Sequence, residues 1–250
     1  MNHNICFLYG AGDHDGTCPV DIREDDYIIA VDGGYDHIVK CGIVPDLVIG
    51  DFDSVCDPSA FTSTQTTDTV HSVAENKSCQ SGTSDNLRSA SYGVLRFPPE
   101  KDYTDMHLGV LEGKKAGYDT FVIYGGTGGR IDHTLANIEL ITWLSKEGCR
   151  GYLIGNGQVI TAITDSELTF DDHSVKDRCL SLFCPDPVRY ISVFSHSDRS
   201  KQVTIKGLEY NVDNIDLTNT YALGTSNRYL DQNYSISVKR GTLIIVSELV

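Results

Sequence analysis

The 250 residues carry 35 acidic against 20 basic side chains, a net charge of -15, which excludes the basic footprint of a broad nucleic-acid or anionic-membrane binder. A 40% hydrophobic fraction is that of an ordinary globular protein, with enough chain for one large or two smaller cores. No run approaches the roughly 20 apolar residues of a membrane span, so neither nucleic acid nor membrane is expected among the partners.

Taken in order, residues 5–9 predict a first strand, followed by Gly10-Ala11-Gly12. That triplet resembles the opening of a dinucleotide fingerprint, but Asp15 stands where the third glycine belongs and Pro19 where the helix should be running. It reads as a strand followed by a loop. Tyr27 to Val31 and Leu47 to Gly50 are short apolar runs bounded by Gly and Pro, hence buried strands, and Tyr35 to Cys41 between them closes a helix of about two turns. Each strand delivers an aspartate beside glycine, as Asp32-Gly33-Gly34 and as Gly50-Asp51-Phe52-Asp53. Asp32, Asp51 and Asp53 therefore meet at the carboxyl edge of a parallel sheet, where ligands of open α/β sheets bind. Three carboxylates with no Lys or Arg beside them in sequence repel one another unless they share a cation. The pattern predicts a magnesium site facing a phosphate.

From about 56 to 92 the chain turns to Ser, Thr, Asp and Gln with few large apolar residues, as expected of a mobile insertion, with a short helix near Asn86 to Ser91. Order resumes with a strand over Val94 to Phe97, stopped by Pro98-Pro99. Thr104 then caps a helix reaching Ala116. Asp105 is favoured in its first turn by the helix dipole, and it also lies at the edge that carries the other three aspartates. A fifth strand, Thr120 to Tyr124, leads into Gly125-Gly126-Thr127-Gly128-Gly129-Arg130, a glycine loop opening a helix. Such a loop presents backbone N–H groups to an anion, and Arg130 adds a forked donor. Along that helix, which runs to about Lys146, Ile131, Leu135 and Ile138 share one face while Arg130, His133 and Asn137 share another.

A last strand at Gly151 to Ile154 closes the first half. From Gln158 onward short alternating runs (GQVITAI, SELTF, CLSLFC, RYISVF, KQVTIKG, YSISVKR, TLIIVSE) with Gly, Asp and Asn between them predict an all-β second half. Gly207 to Asn211 and Gly224 to Asn227 offer small polar residues and an aromatic, Tyr210, able to hold a flat, partly cationic ligand; ordinary turn chemistry around a packed tyrosine explains the same spacing. The eight cysteines include no CxxC pair, and the amino-terminal residues have no basic-then-apolar leader. Reduced thiols and a cytoplasmic location are expected.

Asp32-Gly33-Gly34, PDLVIGDFDS at 45–54, FPPEKDYTD at 97–105 and GGTGGRIDHTLAN at 125–137 resemble, in this order, the motifs of the bacterial-type thiamine pyrophosphokinases. KGLEY at 206–210 and TSN at 225–227 resemble that family's thiamine-binding domain. The resemblance implies a Rossmann-like parallel-sheet ATP-binding domain at 1–155, with the insertion inside it, and a β-sandwich thiamine-binding domain at 156–250. It further implies a homodimer with the active site at the subunit interface, moving a pyrophosphoryl group from ATP to thiamine with Mg2+. Carried over residue by residue, Asp51, Asp53 and Asp105 hold magnesium, with Asp32 and Asp102 close by. Gly33, Gly34, Gly125, Gly126, Gly128, Gly129, Arg130, Asp132, His133 and Asn137 bind ATP; Ser226, Asn227 and Tyr210 meet thiamine. Two alternatives remain at this point. Asp51-Phe52-Asp53-Ser54-Val55 also fits a haloacid-dehalogenase-type phosphatase, and the same fold could serve a nucleotide or thiamine sensor without turnover.

Overall fold

The computed structural model describes residues 4–12, 22–51, 71–72, 91–97, 102–170, 178, 190–230 and 232–248. Its first half alternates strand and helix: β1 (Cys6–Tyr9), β2 (Tyr27–Val31), α1 (Gly34–Lys40), β3 (Leu47–Gly50), β4 (His71–Ser72), β5 (Ser91–Arg96), α2 (Asp105–Lys115), β6 (Thr120–Tyr124), α3 (Ile131–Lys146) and β7 (Arg150–Gly155). The described remainder is all strand: β8 (Gln158–Thr164), β9 (Glu167–Phe170), β10 (Tyr190–Ser195), β11 (Arg199–Lys206), β12 (Val212–Thr218), β13 (Gly224–Arg228), β14 (Tyr234–Arg240) and β15 (Thr242–Glu248).

These strands make a mixed α/β sheet of eleven strands, in the order β13-β10-β15-β8-β7-β6-β1-β2-β3-β5-β4, and an antiparallel sheet of four, β12-β11-β14-β9. Six neighbours, β5-β3-β2-β1-β6-β7, run parallel. The chain first builds outward from β1 through β2 and β3, then returns to lay β6 on the other side of β1. That reversal is the topological switch point, which opens a crevice at the carboxyl ends of β1 and β6.

The large sheet continues without a break into the second half. β7 and β8 pair antiparallel, Gly155 opposite Gln158, around Asn156 and Gly157 at φ 52° and 67°, the positive values that a two-residue hairpin turn demands and that Asn-Gly supplies. Alternation along β1 shows how both sheet faces are filled. Cys6 and Leu8 pack with Met106 and Val110 of α2 and Leu140, Ile141 and Leu144 of α3. Phe7 and Tyr9 join the opposite cluster, which holds Ile38 of α1 and, farther along, Val203, Ile205, Ile236 and Val238 of the four-stranded sheet.

Four features depart from the sequence reading or go beyond it. Ser91 and Tyr92 belong to β5, paired with His71 and Ser72, so the 56–92 segment contributes to the sheet edge; the rest of it, the helix near Asn86 included, lies outside the described residues, as does the CLSLFC run. β12 and β13 are strands that turn-rich sequence concealed. Ile131 and Leu135 are 75% and 57% exposed, because the first turns of α3 project past the sheet and burial begins with Asn137 and Leu140. Cys41 is disulfide-bonded, whereas Cys6 and Cys149 are free.

Candidate active site

The crevice at the switch point is a cavity of about 650 Å³. One wall is the loop after β1, Gly10 to Gly12; another is the glycine loop after β6, Gly125 to Arg130. The two loops are laced together, Gly10 N–H donating to the Tyr124 carbonyl at 2.8 Å and Gly12 N–H to the Gly125 carbonyl at 2.8 Å. The approach leaves no room for a side chain, since a Cβ on Gly12 would sit 2.6 Å from the Thr127 carbonyl oxygen and closer still to that of Gly125. From α3, Asn137 donates through Nδ2 to the Gly126 carbonyl at 2.8 Å. That bond fixes the glycine loop to the helix it opens, so Asn137 acts as a brace.

Carboxylates join the same lining. Asp32, Asp51, Asp102 and Asp105 all line the cavity. Asp32 ends β2 at φ 48°, a left-handed conformation that costs a non-glycine residue energy and is held here by the turn into α1. Its backbone N–H donates to the Ile49 carbonyl at 2.8 Å, tying it to β3, whose end carries Asp51. Asp102 and Asp105 flank Thr104, which caps α2 as predicted: its Oγ1 accepts the His107 N–H at 3.2 Å. Asp53 lies outside the described residues.

Arg130 and His133 also line the cavity, and Asp132 does not. Asp132 instead accepts hydrogen bonds from the Arg130 guanidinium, 3.1 Å from Nε, and this bond raises the arginine pKa and lowers that of the carboxyl. Gly33 and Gly34 are absent from the cavity walls. Both are buried, and Gly34 starts α1 directly against the Tyr9 carbonyl, where a Cβ would overlap the backbone.

Among the described residues no three His, Cys, Asp or Glu side chains converge as a preformed metal cage. Four carboxylates lining one cavity with a glycine loop nevertheless fit magnesium. This ion is usually held by one or two carboxylates, with substrate phosphates and water completing its shell.

The second predicted patch stands apart. Asn227, 5% exposed, accepts the Tyr210 N–H at 2.9 Å and the Arg228 N–H at 3.0 Å through Oδ1, and donates to the Tyr210 carbonyl at 2.7 Å. Its side chain thus holds residues 207–210 against β13. Ser226, at φ 57°, and Tyr210, 63% exposed, face solvent. β13 is the edge strand of the large sheet, five strand spacings from β6 and six from β1, roughly 25–30 Å at the usual spacing.

Residues 21–153 match the model of the thiamin pyrophosphokinase catalytic domain, and residues 182–243 match that of the thiamin pyrophosphokinase vitamin B1 binding domain. The chain belongs to the thiamin pyrophosphokinase family. It is 25% identical to a thiamine pyrophosphokinase of Bacillus subtilis over 218 residues, covering 87% of this chain and 85% of that one. The fold is similar to the crystal structure of the thiamine pyrophosphokinase from Bacillus subtilis, with TM-score 0.73 at 23% identity over 99% of this chain and all of the other. It is also similar to the Candida albicans thiamin pyrophosphokinase, with TM-score 0.65 at 13% identity over 99% and 90%.

In this member of the thiamin pyrophosphokinase family, sequence reasoning overlooked several cavity residues. Gly10 and Gly12, a plain loop by sequence, abut the glycine loop after β6. The missed signal was topological, since a loop after the central strand of a switch-point sheet must border the ligand. Thr127, 6% exposed, lines the cavity with its hydroxyl buried and, among the described residues, without a hydrogen-bond partner. Tyr103 lines it too, hidden in sequence between two aspartates that drew the attention.

Proposed function

We propose that this chain transfers a pyrophosphoryl group from ATP to the hydroxyl of thiamine, giving thiamine diphosphate and AMP. The observation that carries the reading is one cavity, at the switch point of a thiamin pyrophosphokinase-family chain, where an anion-binding glycine loop faces Asp32, Asp51, Asp102 and Asp105. In-line transfer between oxygens needs positioning and charge neutralisation more than covalent chemistry. The backbone N–H groups of Gly125 to Gly129 cradle the polyphosphate. Arg130 offsets charge that develops on the bridging oxygen as AMP leaves. The thiamine oxygen forms its bond to the β-phosphorus while the bond from that phosphorus to the α,β-bridging oxygen breaks, and a cavity carboxylate accepts the hydroxyl proton.

Asp51 and Asp105, with Asp53, would hold Mg2+, which supplies Lewis-acid neutralisation of the phosphate oxygens when bound. The division of labour is a Rossmann-like ATP-binding half at 1–155 and a β-sandwich half at 156–250 that presents Ser226 and Tyr210 to thiamine, with Asn227 holding the patch in shape. The working unit is a homodimer. Two observations support it: the thiamine patch lies too far along the sheet to reach its own chain's cavity, and Ile131 and Leu135 expose an apolar face on the helix that borders that cavity. A partner patch laid over the cavity answers both. Use of ATP favours a cytoplasmic setting, and no helix among the described residues is long and apolar enough to cross a membrane.

The test is to incubate purified chain with ATP, magnesium and thiamine, omit each in turn, and separate the nucleotides. AMP and thiamine diphosphate in equal amounts, only with all three present, support the reading. Free phosphate without thiamine would replace it with a phosphatase, and tight binding without turnover with a sensor.

A further inference from the structure

Tyr103 stands between the two α2-proximal aspartates, lines the cavity, and is 50% exposed. An exposed aromatic on a loop costs apolar hydration and gains nothing by itself, yet this one is backed by fixed rings. His107 lies 4.6 Å away, centroid to centroid, tilted by 49°, and Trp143 lies 5.2 Å beyond it, tilted by 38°. Lys114 closes the far end of the row, with Nζ 4.5 Å from the Trp143 ring centre and 3.3 Å from Glu147 Oε2. The row bridges α2 and α3, the helices whose first turns border the cavity, so Tyr103 is anchored at the mouth instead of swinging freely. From α3, His133 and Ala136 also line the cavity. About 650 Å³ is a volume typical of a whole organic ligand, with space for a nucleoside beside the polyphosphate.

We propose that Tyr103 is the platform on which the nucleobase of ATP stacks, with His107 and Trp143 as its fixed backing. The assignment rests on the nucleotide reading of the cavity and adds the residue that recognises the base. Stacking accepts any flat π-face, so the site tolerates other purine nucleotides more readily than a hydrogen-bonding slot would. Thiamine is also flat and aromatic, and in the proposed homodimer the partner's patch brings it to this cavity, so the thiamine KM separates stacking of the nucleobase from stacking of thiamine.

The experiment measures dissociation constants of wild type, Tyr103→Phe and Tyr103→Ala for Mg-ATP and for inorganic tripolyphosphate by calorimetry, with KM for thiamine in parallel. Stacking of one base is worth about 1–3 kcal/mol, so Tyr103→Ala should weaken ATP roughly 5- to 150-fold. Tyr103→Phe should stay within about twofold, and tripolyphosphate affinity and thiamine KM should hold throughout. Equal losses for ATP and tripolyphosphate, damage in Tyr103→Phe matching that in Tyr103→Ala, or a change confined to thiamine KM would overturn the platform. So would a wild type that binds ATP no better than tripolyphosphate. Failure of the wild type to make AMP while it binds ATP with this Tyr103 dependence would instead overturn the reaction and leave the platform standing.

Discussion

Gly12→Ala probes whether the loop after β1 shapes the nucleotide site. The new methyl group would have to move from 2.6 Å to at least 3.0 Å from the Thr127 carbonyl oxygen, and further from that of Gly125. Both obstacles are backbone of the glycine loop, so no side chain can swing aside, and the Gly12–Gly125 hydrogen bond of 2.8 Å opposes separation. Overpacking of this kind costs about 1–3 kcal/mol of stability, which a domain with a normal margin survives. The catalytic loss should be of similar size in free energy, but it is read directly as rate. A displacement of about 1 Å in a positioning group can cost on the order of a hundredfold, and this shift is some tenths of that, so kcat/KM for ATP should fall roughly 10- to 100-fold. The assay is thiamine-dependent AMP release against ATP concentration, with a thermal melt beside it. A folded variant with kcat/KM within about twofold of wild type would refute the reasoning, because the two loops would then be free to separate without consequence for phosphate binding.

Asp51→Asn should abolish transfer in a variant that still folds by circular dichroism; full turnover in the folded variant would remove Asp51 from the metal set. Asn227→Ala deletes three hydrogen bonds around Tyr210, so KM for thiamine should rise with ATP affinity unchanged, and the opposite selectivity in steady-state kinetics would reverse the two halves' roles. Asp26, its side chain 1% exposed, accepts N–H bonds from Ile5 at 2.9 Å and Arg23 at 2.8 Å and both guanidinium nitrogens of Arg178 at 3.0 and 2.7 Å. Burial pushes its carboxyl up, but these bonds outweigh it and the pKa lies below the ordinary value. Its stabilising contribution is therefore present above the unfolded value near ~4 and is lost as pH falls through the lower folded value. Urea midpoints should show that acid loss in wild type and less of it in Asp26→Asn, itself destabilised by about 3–5 kcal/mol; parallel acid profiles would contradict the pairing.

Much of the site was readable because it is local. β2, β3 and β6 are apolar runs with glycine or proline near their ends, and each run's boundary fell where its residues said. The Thr104 cap is likewise written in four consecutive residues. Asn156-Gly157 is a local hairpin signal joining β7 to β8, but nothing local announces that β15, β10 and β13 then extend the same sheet, since that depends on which distant strands pair. β12 alternates around charged residues with Asn214 at φ 54°, and β13 has no large apolar side chain at all; as edge strands they need little burial, so hydrophobic pattern is silent on them. The exposed Ile131 and Leu135 look like core by periodicity, and only the placement of α3 beyond the sheet shows that they need another partner.

The most direct test of pyrophosphoryl transfer is to supply ATP labelled only at the γ-phosphate, with magnesium and thiamine, and to find where the label goes. All of it should appear in thiamine diphosphate, beside unlabelled AMP. Label in thiamine monophosphate or in free phosphate, with ADP as the nucleotide product, would contradict attack at the β-phosphorus and with it the proposed reaction.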